Sequence, residues 1–198
     1  MPRTKQRTPE LAERVLEAGL RLLGRDGPAA LTARALASEA NTSPAAIYEL
    51  FGNKGGVVRA LFFSGFGQLA AELAGLEQSD DPLRDLHVLA SGYRRFILAH
   101  PALAAVMFSR PFSTFEPTAD ESAAGAAVRK LIVAAVRRAV AARQLRGDPV
   151  DIAHAYVALI QGLAAAESSS RLGTSKRSVE RRWDTALGAL LAGFAADG

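Results

Sequence analysis

Ser43-Pro44-Ala45-Ala46 is the stretch whose residue types fit a binding chemistry most closely. A serine N-cap followed by proline at the first helical position starts a helix. Small alanines behind them let its N-terminus approach another surface, where its partial positive charge favours phosphate oxygens. Catalytic spacings, by contrast, are missing. His87, His100 and His154 are scattered, without an HExxH-like or two-histidine-plus-carboxylate arrangement, so no metal site is expected. No G-x-S-x-G, P-loop or G-x-G-x-x-G occurs, and Gly65-x-Gly67 falls inside an apolar helical run. The serines lack a spaced His/Asp context. No catalytic residue and no cofactor is expected, and a chain without cysteine has no thiol or disulfide chemistry.

The elements that must position this short helix come directly before and after it. Leu31 and Leu36 flank Thr32 as the N′ and N4 residues of a hydrophobic staple, with Thr32 as N-cap. Good helix formers run from Ala33 to Ala40. Asn41 then supplies the residue that, after glycine, best tolerates the left-handed conformation of a sharp interhelical turn. The second helix spans about 44–50, a brief break comes next, and Lys54 opens another helix. Residues 32–54 therefore read as a helix-turn-helix, whose second helix enters the DNA major groove.

The run Thr32-x-Arg34-x-x-Ala37-x-x-Ala40-x-x-Ser43-x-x-Ala46-Ile47-Tyr48-x-x-Phe51-x-x-Lys54 resembles the N-terminal domain of the tetracycline-repressor (TetR) family of bacterial regulators. Asn41 stands where that family usually has glycine, Thr42 replaces an apolar residue, and Gly55 replaces a glutamate. The last change takes away part of the next helix's N-terminal capping. The resemblance implies that Thr32, Arg34, Thr42, Ser43, Ala45, Ala46, Tyr48 and Lys54 face DNA. Thr32, Tyr48 and Lys54 would hold phosphates; Arg34, Thr42 and Ala45 would lie nearer the bases, with Arg34 the best placed to read a guanine.

Alanine and leucine dominate, β-branched residues are sparse and no period-two alternation persists. An all-α fold of about nine helices is expected. The formal charge is +4. Residues 1–60 hold nine of the 24 Lys/Arg but only six of the 20 acids, so the positive excess lies with the helix-turn-helix. The basic start 1–7 reads either as a disordered tail or as an arm bringing Arg3, Lys5 and Arg7 to DNA. No apolar run approaches the ~18–20 residues of a transmembrane helix, and no signal-peptide core comes after the basic start. A cytoplasmic protein with no membrane partner is expected.

Along the rest of the chain, Leu11, Val15, Ala18 and Leu22 form one apolar stripe on a first helix capped by Thr8-Pro9. A helix over 53–76 buries Val58, Leu61, Phe62, Leu69, Leu73 and Leu76, and its length would connect the DNA-reading unit to a second domain. Further helices are expected over 82–99 and 101–109, then from a Thr118-x-x-Glu121 capping box to 144, over 149–168, and from 178. On the 118–144 helix, Val128, Leu131, Ile132, Ala135, Val136 and Val140 point inward. Arg129, Lys130, Arg137, Arg138 and Arg143 read as its solvated side rather than a second DNA site.

Tyr93 to Phe108 resembles the TetR effector domain named for a Trp-His-Gly motif, although Val157, Gln161 and Gly162 keep only its glycine. Phe96, Met107, Phe108, Phe112 and Phe115, with Tyr93, His100 and Tyr156 as polar handles, are the candidates to line an apolar cavity between helices 82–99 and 149–168. Ordinary core packing is the plain alternative. The helices near 149–168 and 178–196 are rich in small residues (Ala158, Gly162, Ala165, Gly188, Ala189), which permits close helix approach. A homodimer interface is expected there over burial within one chain, because recognition helices of this size need two half-sites for useful affinity. The expected organisation is a DNA-binding domain over 1–54 and an effector-binding and dimerisation domain over 55–198.

These expectations describe a homodimeric, ligand-responsive transcriptional regulator, a repressor, bound to a palindromic double-stranded DNA operator and to a small apolar or amphipathic effector. Two other classes compete with it. One is a helical small-molecule-binding protein or enzyme whose N-terminal bundle is only structural; the other is a nucleoid-type DNA binder without a ligand.

Overall fold

A computed structural model describes residues 9–108 and 119–196, and among them the chain forms nine α-helices. In order these are α1 (Pro9–Asp26), α2 (Ala33–Glu39), α3 (Pro44–Phe51), α4 (Lys54–Ala74) and α5 (Pro82–Ala99). After them come α6 (Pro101–Phe108), α7 (Ala119–Ala141), α8 (Pro149–Ser168) and α9 (Lys176–Gly193). A 3-10 turn at Pro28–Ala30 joins α1 to α2. The chain divides into two compact units. One contains α1 to α3, α4 as far as Gly65, and α6; the other contains the remainder of α4, α5 and α7 to α9.

In the first unit the α1 stripe of Leu11, Val15, Ala18 and Leu22 meets Leu31 and Leu36 of the staple, Ile47 of α3, and Val57, Val58 and Leu61 of α4. Val106 of α6 joins this core, and α6 packs on α1. Ile47 is the buried residue of α3. Its burial stabilises the unit by about 1.5–3 kcal/mol; Ala46, Leu50 and Phe51 pack partly against the same core, which leaves Ala45, Tyr48 and Glu49 exposed.

In the second unit α7 packs against α5 and α8, and α8 against α9. Two ionic clusters are folded into it. The first is Asp85, whose carboxylate accepts from the Ser79 N–H and hydroxyl (3.0 and 2.7 Å) and from Arg138 Nη1 at 2.6 Å. Arg138 therefore departs from the solvated side expected of it: Asp85, 53 positions away in sequence, draws its guanidinium inward. The second is Glu167 on α8, which receives two 2.7 Å bonds from Arg94 on α5 and one of 2.8 Å from Trp183 Nε1 on α9. The Arg94 guanidinium also lies 5.5 Å from the Trp183 ring centroid.

These partners set the acid response of the second unit. The Ser79 hydroxyl, with Arg138, holds Asp85 below its ordinary value of 3.8 despite burial. Burial pushes Glu167 up, but its bonds to Arg94 and Trp183 outweigh that and leave it below 4.5. A carboxylate lowered in the folded state contributes stability fully above its unfolded pKa and loses it as pH falls through the folded one. Thermal midpoints monitored by circular dichroism should therefore hold from pH 7 to about 5 and drop steeply below about 4. Glu167→Gln should melt lower at pH 7 and show a shallower acid slope; an unchanged slope would exclude Glu167 from the acid response.

Several boundaries differ from expectation for local reasons. The final helix begins at Lys176, two residues before Ser178, because Ser175 is the cap. Ser175 Oγ accepts the Ser178 N–H while Ser178 Oγ accepts the Ser175 N–H, a reciprocal capping box. α7 ends at Ala141 rather than 144, with Arg143 in the left-handed region at φ 56°. By length and mean hydropathy (1.2), α4 and α8 could each cross a membrane. Each nevertheless buries one face at helical spacing and carries polar groups on the other, Gln68 on α4 and Asp151 and His154 on α8, as amphipathic core helices do. Thr118, Phe112, Phe115 and the 1–7 arm lie outside the described residues.

Candidate nucleic-acid interface

Two caps and one turn build the candidate surface. Thr32 Oγ1 accepts the Ala35 N–H at 3.2 Å and starts α2; Ser43 Oγ accepts the Ala46 N–H at 3.2 Å and starts α3, with Pro44 in the first turn. Between them Asn41 takes φ 51°, and the Thr42 N–H closes the turn onto the Ala37 carbonyl at 2.8 Å. Each cap uses its hydroxyl oxygen as an acceptor, so the hydroxyl hydrogen stays available to donate outward.

Thr32, Arg34, Ser43, Ala45, Tyr48 and Lys54 are all exposed, and Thr42 and Ala46 are half-buried. Tyr48 is 56% exposed, the most of any large hydrophobic side chain among the described residues. An aromatic ring left in water on the helix that buries Ile47 gains nothing for the fold. Behind this surface Glu39 joins α2 to α1. It accepts from Arg21 at 2.9 Å and faces Arg25 at 3.5 Å, and the Arg21 bond in particular holds its carboxyl below the ordinary range.

The exit from α3 is built from groups that motif reading passed over. Gly52 takes φ +73° and donates to the Tyr48 carbonyl at 2.9 Å. Asn53 Oδ1 then accepts the Gly56 N–H at 3.1 Å, capping α4 where Gly55 provides no side chain to do so. An asparagine three residues ahead of a helical N–H is a readable cap signal, and it makes good part of the capping that the missing glutamate would supply.

The candidate effector residues fall in different places. Tyr93, Phe96 and Tyr156 are buried in the second unit. The Tyr156 hydroxyl donates to the Leu86 carbonyl, and burial raises its pKa. Burial likewise raises Tyr93, an effect that the Gln161 side chain on α8 offsets only in part. In the first unit Met107 is buried while His100 and Phe108 are exposed. On α8 and α9, Ala158, Gly162, Ala165, Gly188 and Ala189 are all exposed, and a Cβ added to Gly162 or Gly188 would meet nothing within 4 Å. Packing within the chain does not require those two glycines.

Residues 15–61 match the family described as bacterial regulatory proteins, tetR family, and residues 86–190 match the tetracyclin repressor-like C-terminal domain. No curated protein sequence matches the chain. Among solved structures, a protein of unknown function from Rhodococcus sp. RHA1 is 29% identical over 98% of this chain and 100% of its own, with a TM-score of 0.81. A tetR-family regulatory protein from Rhodococcus RHA1 is 18% identical, covering 96% and 100%, with a TM-score of 0.72. The TetR-family transcriptional regulator PfmR from Thermus thermophilus is 19% identical, covering 90% and 97%, with a TM-score of 0.70. At the latter two identities the likeness is one of fold.

Proposed function

The chain belongs to the TetR family of bacterial regulators, and from that premise we propose that it acts as a homodimeric repressor released from its operator by a small apolar or amphipathic effector. DNA binding and transcriptional regulation come with the family. The observation that carries the placement of the interface is Tyr48, an exposed ring on a helix whose buried anchor is Ile47. On this reading Thr32, Tyr48 and Lys54 hold phosphates, while Arg34, Thr42 and Ala45 approach the bases, with Ser43 and Ala46 at the helix start. No catalytic step belongs to it, and the cytoplasm is its place of action.

The dimer is proposed through α8 and α9. Small, exposed residues with open space above them support close approach of a second copy's helices. The effector is proposed to bind beside Tyr93, Phe96 and Tyr156, where the Tyr93 hydroxyl and Gln161 offer polar contacts in apolar surroundings. An effector that prefers the dimer with its recognition helices out of register with successive major grooves lowers operator affinity by that preference. The functional division proposed is 1–54 for DNA and 55–198 for effector and dimer.

Lys54→Ala tests the interface. It should weaken binding to all duplex sequences alike and flatten the slope of log affinity against log salt by about one unit for each phosphate that Lys54 neutralises. Titrations across salt concentrations read this directly. An unaltered slope would remove Lys54 from the backbone contacts.

A further inference from the structure

Two glycines open α4 side by side, and their surroundings differ. A Cβ on Gly55 would lie 2.9 Å from Asn53 Oδ1, the tip of a side chain that can turn away. A Cβ on Gly56 would lie 1.8 Å from the Phe51 carbonyl oxygen and 2.8 Å from its carbon. Those are backbone atoms of the last residue of α3. The same carbonyl accepts the Asn53 N–H at 2.8 Å, and the Gly56 N–H is held by Asn53 Oδ1 at 3.1 Å, so the turn is tied from both sides.

We infer that Gly56 is a positioning residue for DNA recognition: lacking a Cβ, it lets the end of α3 close onto the first turn of α4, and so sets the direction in which α3 presents Tyr48. The inference rests on the DNA reading of α3 given above. Any side chain at position 56 requires the Phe51 carbonyl oxygen to retreat by more than 1 Å, from 1.8 Å to at least 3.0 Å, whereas donor–acceptor distances in hydrogen bonds span only ~0.5 Å. Contacts made from α3 to base edges would then fall out of range. Charge attraction to phosphate tolerates such a shift far better, because it falls off over about 10 Å at ordinary salt. The expected signature is a loss of discrimination between sequences, with general DNA affinity retained.

The test compares Gly56→Ala with Gly55→Ala and with Gly67→Ala, a position on the same helix where a Cβ would meet nothing within 4 Å. The probes are a duplex enriched by the wild-type chain from random-sequence DNA and a mixed-sequence duplex of equal length. Gly67→Ala should bind both as wild type does, and Gly55→Ala should stay within about threefold. Gly56→Ala should lose at least about tenfold on the enriched duplex and less than about threefold on the mixed one, with unchanged helix content by circular dichroism. A preserved ratio, a loss shared equally by Gly55→Ala, or a Gly56→Ala chain that folds at no temperature would each overturn the inference. Wild-type enrichment that yields no preferred duplex would instead sink the DNA reading itself, and this inference with it, before any variant is made.

Discussion

Tyr48→Ala is expected to lower operator affinity about 100-fold without moving the thermal midpoint. The two halves of that result have separate causes. Tyr48 is 56% exposed and contributes little to the core formed by Ile47 and its neighbours, so its removal should cost the fold less than ~0.5 kcal/mol. At the operator its hydroxyl would donate to a phosphate, and a hydrogen bond to a charged group contributes about 1.5 kcal/mol or more. A dimer makes that contact twice, giving about 3 kcal/mol, or roughly two orders of magnitude in Kd. Tyr48→Phe keeps the ring but lacks the hydroxyl, and should lose nearly as much as Tyr48→Ala. Fluorescence anisotropy with a labelled operator duplex measures all three. Equal affinities would show that α3 turns a different face to DNA.

Arg94→Ala should produce the largest loss of stability among the substitutions considered. Glu167 would keep only the Trp183 N–H once both 2.7 Å bonds from Arg94 are gone. With the two side chains 22% and 13% exposed, the pair is sheltered but reached by solvent. The cost should therefore lie at about 2–3 kcal/mol, beneath that of a fully enclosed pair. In a chain of this size that is a fall of roughly 4–12 °C in thermal midpoint. Adding Glu167→Ala should cost less than the two single changes summed, because the stranded carboxylate is gone. Trp183, the chain's one tryptophan, gives a fluorescence signal at the site itself. A midpoint within about 1 °C of wild type, small against the expected fall, would mean that solvent already satisfies Glu167.

The parts of the molecule that declared themselves in sequence are those governed by neighbours in the chain. The staple of Leu31 and Leu36, the Thr32 and Ser43 caps and the left-handed Asn41 each depend on residues within a single turn. So does the apolar stripe of α1, whose four positions are all buried. What sequence concealed depends on distant partners. Arg138 resembles its neighbour Arg137 in type and spacing, and only distant partners, Asp85 and the Ser79 carbonyl, distinguish them. Nothing local pairs Arg94 with a glutamate 73 positions on, or seats Val106 of α6 in the core of the first unit. At the candidate interface, the tight α3–α4 turn stayed hidden because two adjacent glycines read alike until the atoms facing each are known.

The proposed function depends above all on α3 being an outward probe carried twice by a symmetric pair of chains. Sequencing the duplexes that the purified chain enriches from a random pool puts that to the test in one step. An inverted repeat is expected, its half-sites centred one helical turn, about 10 base pairs, or a multiple of it apart. A single unrepeated site, or no enriched sequence at all, would contradict it.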